Sequence, residues 1–166
     1  MELMMPELSF DDLLATDDEQ KIIEEIRSIA KIGRLPAGID LKKLAWETRF
    51  PRVRNAAAMA ILALGVPNTA ELMIKLVNRA DTKGTRGTLL YVLNELKAAV
   101  PLDTLVDILV NDSYEAQEEA INLFRNRRFS ERERTDALSK LRPLKRSKDR
   151  HLSLLASEAA DLLIQQ

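Results

Sequence analysis

Residues 49–65 read RFPRVRNAAAMAILALG, and the fold turns on why a helix should be so poor in bulky side chains. Pro51 suits a first helical turn, where its missing N–H would go unpaired in any case. Five alanines follow, at 56, 57, 58, 60 and 63, and Gly65 closes the run. Small side chains let helices approach closely on more than one side, while Met59, Ile61, Leu62 and Leu64 supply bulk. The stretch predicts a helix enclosed by several neighbours.

The pattern recurs along the chain. When VRNAAAMAILALG is laid over TRGTLLYVLNELK, Arg54 falls on Arg86, 32 residues later, and Arg86 falls on Gln117 of AQEEAINLFRNRR after a further 31. The next helices keep step: LMIKLV from Leu72 matches LVDILV from Leu105 at a distance of 33. A period near 32 with two helices per unit predicts an all-α fold, an α-α superhelix or solenoid of stacked helix pairs.

Elsewhere helix signals are continuous and strand signals nearly missing. Residues 16–33, TDDEQKIIEEIRSIAKIG, have a capping residue at the start, acids in the first turn, lysine in the last and a glycine stop. Asp40 caps LKKLAWET, and Pro101 with Asp103 opens TLVDILVN. Helices are also predicted over 70–80, 85–100, 114–126 and 130–142, with a last one past Pro143.

FPRVRNAAAMAILALG followed by AELMIKLV resembles the HEAT repeat in its short bacterial, PBS-lyase HEAT-like form. That pattern has a proline, a Val-x-Arg pair, alternating alanines, a Leu-Gly end and a Leu-rich second helix. The resemblance implies repeats at about 17–48, 49–80, 81–111 and 112–142 with a terminal helix at 147–164. Residues 16–166 would form a single repeat domain, preceded by an acidic, hydrophobic segment at 1–15 that is expected to be disordered unless it docks. The unit at 112–142 departs from the pattern with Gln117 in place of arginine, and the first, at 17–48, lacks the alanines. The resemblance carries no lyase activity with it. It also assigns Arg54 and Arg86 to structure, tying adjacent units through Asp81 and Asp112.

Composition narrows the function classes. The chain has 166 residues, 31% charged and 46% hydrophobic, with 4% aromatics, so the core is aliphatic. There is no cysteine and a single histidine, His151, which removes disulfides, thiolate sites and paired-histidine metal motifs. GTRG at 84–87 lacks the Lys-Ser/Thr end of a phosphate loop, and adjacent acids such as Glu118 and Glu119 diverge on a helix rather than converging on one bond. Catalytic, cofactor-binding and metal sets are therefore not assigned, and a non-enzymatic role is expected. His151 reads as a satisfied surface histidine and Trp46, the only tryptophan, as core. The acidic N-terminus and short apolar runs predict no secretory signal, no membrane span and a cytoplasmic protein.

Charge is uneven. Residues 1–25 carry nine acids and one base, whereas 125–150 carry eleven bases and four acids. The expected function is a non-catalytic protein-interaction or scaffold module whose second helices form the concave binding face, with Lys42, Lys43, Lys75, Arg79, Asp103 and Asp107 as partner contacts. That row alternates in sign, which suits a protein partner. The alternative is a nucleic acid or other polyanion held by Arg125, Arg127, Arg128, Arg132, Arg134, Arg142, Lys145, Arg146, Lys148 and Arg150. Self-association of the acidic N-terminus with the basic C-terminal region is a third expectation.

Overall fold

The computed structural model describes Asp12 and residues 15–166. The docking segment expected at the N-terminus lies outside the described residues, apart from Asp12 and Ala15. Among the described residues the fold is all-helical: nine α-helices, one 3-10 turn and no strand. None of these helices is long and apolar enough to cross a membrane. The chain divides into two compact units, Met1–Thr69 and Ala70–Gln166.

The first unit holds α1 (Glu19–Ile32), α2 (Leu41–Glu47) and α3 (Pro51–Ala63). Helix α1 begins three residues after Thr16, because Asp18 accepts the Lys21 N–H while the Thr16 hydroxyl accepts from Asp18 itself. Gly33, at φ 77°, ends it in the left-handed conformation that favours glycine. Its isoleucines 22, 23, 26 and 29 are buried. Asp40 caps α2 through the Lys43 N–H, as its position in sequence suggests.

Helix α3 packs against both α1 and α2, which is why its buried face is built from Val53, Ala57, Ala58, Ala60 and Ile61 with Arg54 among them. Met59 does not share this face: one residue is about 100° of helix, and its side chain is exposed. Ala57 is fully buried. Ala57→Leu is therefore expected to overpack the contact and lower stability by about 1–3 kcal/mol, read as a fall in the urea midpoint. Trp46, expected in the core, is 42% exposed.

Helix α4 (Thr69–Val77) begins at the unit boundary, and after the 3-10 turn Ala80–Thr82 come α5 (Gly87–Glu95), α6 (Leu102–Asn111), α7 (Tyr114–Asn126), α8 (Glu131–Leu144) and α9 (Arg150–Ile164). Within Ala70–Gln166, α5 packs on α7 and α7 on α9, while α6 packs on α7, α8 and α9, and α8 on α9. Their shared core is Leu89, Leu93, Leu105, Ile108, Leu109, Phe124, Leu141 and Leu163 with interspersed alanines. Helix α5 ends at Glu95, short of the predicted 100, because Lys97 takes a left-handed conformation at φ 51° and turns the chain. Helix α8 continues through Pro143 to Leu144, close enough to its end that the lost N–H interrupts little. Helix α9 starts at Arg150 rather than 147, since Asp149 accepts the N–H groups of His151 and Leu152.

Candidate functional site

The register residues Arg54, Arg86 and Gln117 are all buried, and each acts as a structural polar group. Carbonyls in the last turn of a helix lack intrahelical partners. Arg54 Nη2 donates to the Thr48 carbonyl at the end of α2 (3.0 Å), and Gln117 Nε2 donates to the Leu109 carbonyl at the end of α6 (3.0 Å). Thr82 supplies the same service to Leu76 of α4 at 2.8 Å. Gln117 Oε1 in turn accepts from His151 Nε2 at 2.9 Å.

Arg86 does more. Its Nε lies 3.3 Å from Asp112 Oδ2 and its Nη1 lies 3.3 Å from Asp107 Oδ2. The N–H at Nε is not aimed along a hydrogen bond, so the Asp112 contact is chiefly charge against charge. Asp112 Oδ1 accepts from Gly84 N at 3.0 Å and from Ser113 N at 2.8 Å, and its side chain is fully buried. One carboxylate thereby joins the turn before α5 to the turn before α7. Gly84, at φ 81°, allows that backbone approach, and Gly87 leaves room for the Glu115 side chain, whose Cγ would lie 2.5 Å from an added Cβ. Asp81, the other acid assigned to an inter-repeat turn, receives two hydrogen bonds from Arg79.

The second-helix residues expected to meet a partner are engaged on their own surface. In the first unit Lys42 donates to the Pro67 carbonyl. In the second, Lys75 pairs with Glu71 at 2.6 Å, Arg79 with Asp81 at 2.7 Å, and Asp103 with Lys140. Lys140 was not singled out by its sequence position, yet it bridges Asp103 of α6 and Asp136 of its own helix (2.7 Å). These two carboxylates, Asp103 first, raise its pKa above the usual lysine value. Asp107 accepts from Asn111 at 2.8 Å, and this bond, followed by Arg86, holds its carboxyl below the usual range against the cost of burial. Thr104 of α6 bonds Asn78, the residue that follows α4, at 3.0 Å.

The basic tract separates into two classes. Arg125 pairs with Glu158 of α9 at 3.0 Å, and Arg127 pairs with Glu133 at 2.8 Å while also donating to the Val100 carbonyl and lying 4.6 Å from the centre of the Phe129 ring. Arg128, Arg132 and Arg134 form no ion pair among the described residues but have Glu131, Glu133 and Asp136 close in sequence. Arg142, Lys145, Arg146, Lys148 and Arg150 are all exposed and likewise unpaired among the described residues.

Glu133 closes a capping box with Ser130, and the Ser130 N–H is the main cause of its lowered pKa, ahead of the Ser130 hydroxyl and Arg127. A carboxyl depressed in the folded state contributes stability that is complete above its unfolded pKa and lost as pH falls through the folded one. Glu133→Gln keeps the capping geometry but loses the charge, so it should cost at most about 1 kcal/mol at neutral pH and flatten the decline in stability below about pH 4.3. Urea midpoints measured across the acid range test both parts.

No group of three or more His, Cys, Asp or Glu is placed to hold a metal among the described residues. A cleft of about 210 Å³ is lined by Asn94, Lys97, Ala98, Leu123, Asn126, Arg127 and Arg128 at the C-terminal ends of α5 and α7. Helix C-termini carry partial negative charge, which Lys97 and Arg128 offset. Comparison of the chain with protein-family models, with curated proteins and with solved structures finds no match.

Proposed function

We propose that the chain is a short HEAT-like α-α solenoid that serves as a non-catalytic protein-interaction module, with its second helices as the binding row. The equivalent burial of Arg54, Arg86 and Gln117 at the sequence period supports the repeat reading. So do the contacts of α5 with α7, α7 with α9 and α6 with α8.

One observation carries the functional reading. Lys75 on α4, Arg79 in the turn after it and Lys140 on α8 each lie against a carboxylate of the same surface, so the row is mixed in sign and largely neutral. A phosphate chain needs a continuous positive track. A protein partner is selected instead by alternating charges matched to its own, which set register and exclude wrong partners.

Affinity capture from the source cell with the native chain and with Lys75→Glu/Arg79→Glu tests the reading. The native chain should retain a specific protein that the double variant loses, while both variant and native chain melt at similar temperatures. Identical captured sets from the two would defeat the assignment of this row.

A further inference from the structure

The segment 142–150 gathers cations densely around the turn that joins α8 to α9. Its five cations, Arg142, Lys145, Arg146, Lys148 and Arg150, are exposed and have no ion-pair partner among the described residues. No acid lies one helical turn from Arg142, where Leu138, Ser139, Lys145 and Arg146 stand. The single acid of the segment, Asp149, directs Oδ1 to the N–H groups that open α9. Five cations within nine residues, with that one acid turned to the helix start, make a local excess of positive charge.

The turn that presents these side chains is pinned. Arg146 N donates to the Pro143 carbonyl, Ser147 N to Leu144, Asp149 N to the Ser147 hydroxyl, and the Ser153 hydroxyl to the Lys145 carbonyl at 2.7 Å. The cations therefore project from a fixed backbone, which limits the ordering cost of a bound polyanion.

The chemistry of the patch selects among anions. Residues 142–150 contain no aromatic side chain on which an unpaired base could stack. They also lack the buried aromatic or aliphatic anchors that give a protein interface its affinity, and solvated ion pairs with an acidic peptide are worth little. Duplex nucleic acid differs because its charge is dense, at one per about 1.7 Å of axis, and each neutralised phosphate releases condensed counterions. Solvated lysines and arginines are sufficient for that.

We propose that the turn between α8 and α9 binds the phosphate backbone of double-stranded nucleic acid without reading its sequence, through Arg142, Lys145, Arg146, Lys148 and Arg150. This surface is independent of the second-helix row and does not rest on the protein-interaction reading.

Fluorescence anisotropy of the full chain against labelled duplex DNA and duplex RNA, over a salt series, tests the proposal. The expected dissociation constant at physiological salt is about 1–100 µM. With five phosphates neutralised, log affinity should fall against log salt with a slope of about −4.5, a loss of about 500-fold between 50 and 200 mM. Binding to one duplex type or to both supports the proposal and identifies the source of the phosphates. Lys145→Glu/Arg146→Glu should weaken binding more than about tenfold and flatten the slope by about two. Lys75→Glu/Arg79→Glu, an equal change of net charge outside residues 142–150, should stay within about twofold. If the first double variant does not fold, Lys148→Gln alone should flatten the slope by about one. Three results overturn the proposal: duplex binding weaker than about 100 µM at physiological salt, an equal loss in both folded double variants, or tighter binding to polyglutamate or anionic vesicles than to either duplex.

Discussion

Arg86→Met is expected to destabilise the chain by about 3–5 kcal/mol, seen as a large fall in the urea midpoint. The size follows from what the substitution leaves behind. Asp112 has no exposed side-chain surface, and without Arg86 its charge would be met only by the N–H groups of Gly84 and Ser113. A buried carboxylate stripped of its counter-charge either stays ionised at high cost or takes up a proton. The exposed Arg49–Asp17 pair of the first unit gives the contrast, since Arg49→Ala should change stability by no more than about 1 kcal/mol. Equal effects at the two sites would mean that Arg86 is not buried against Asp112.

Phe124→Ala should cost a similar amount, about 3–5 kcal/mol. Phe124 has no exposed surface, and its ring lies 5.8 Å from that of Phe129 across the turn joining α7 to α8. The same turn is clasped by Gln166, whose Nε2 donates to the Phe124 and Arg127 carbonyls and whose Oε1 accepts from Phe129 N. With the backbone held this way the site cannot close around a truncated side chain, so the cavity term adds to the lost transfer energy. Tyr114, 67% exposed on the same helix with its ring 5.7 Å from that of His151, is the control: Tyr114→Ala should cost no more than about 1.5 kcal/mol.

The helices were legible because their punctuation is local. Asp40, Ser113 and Ser130 each cap a helix through a backbone N–H three residues on. Boundaries slipped where the deciding feature has no strong sequence signature. Lys97 takes a left-handed turn that glycine would have announced, and Trp46 sits on a helix too short to define a face by periodicity. The pairing of Arg86 with Asp112 was anticipated from the repeat resemblance, because the period places that acid in the next turn. The partition of the basic tract was not legible. Its neutralising acids come from other helices, Glu158 lying 33 residues from Arg125 and Asp103 lying 37 from Lys140. Only the one-turn pairs, Lys75 with Glu71 and Lys140 with Asp136, follow from sequence spacing.

The account rests on the sequence period being a structural one, with a buried charge pair holding one turn to the next. A double-mutant cycle of Arg86→Met and Asp112→Asn measures that link directly. The two residues should couple by about 1.5–3 kcal/mol, the double variant losing much less than the sum of the singles. Additivity within about 0.5 kcal/mol would contradict the account.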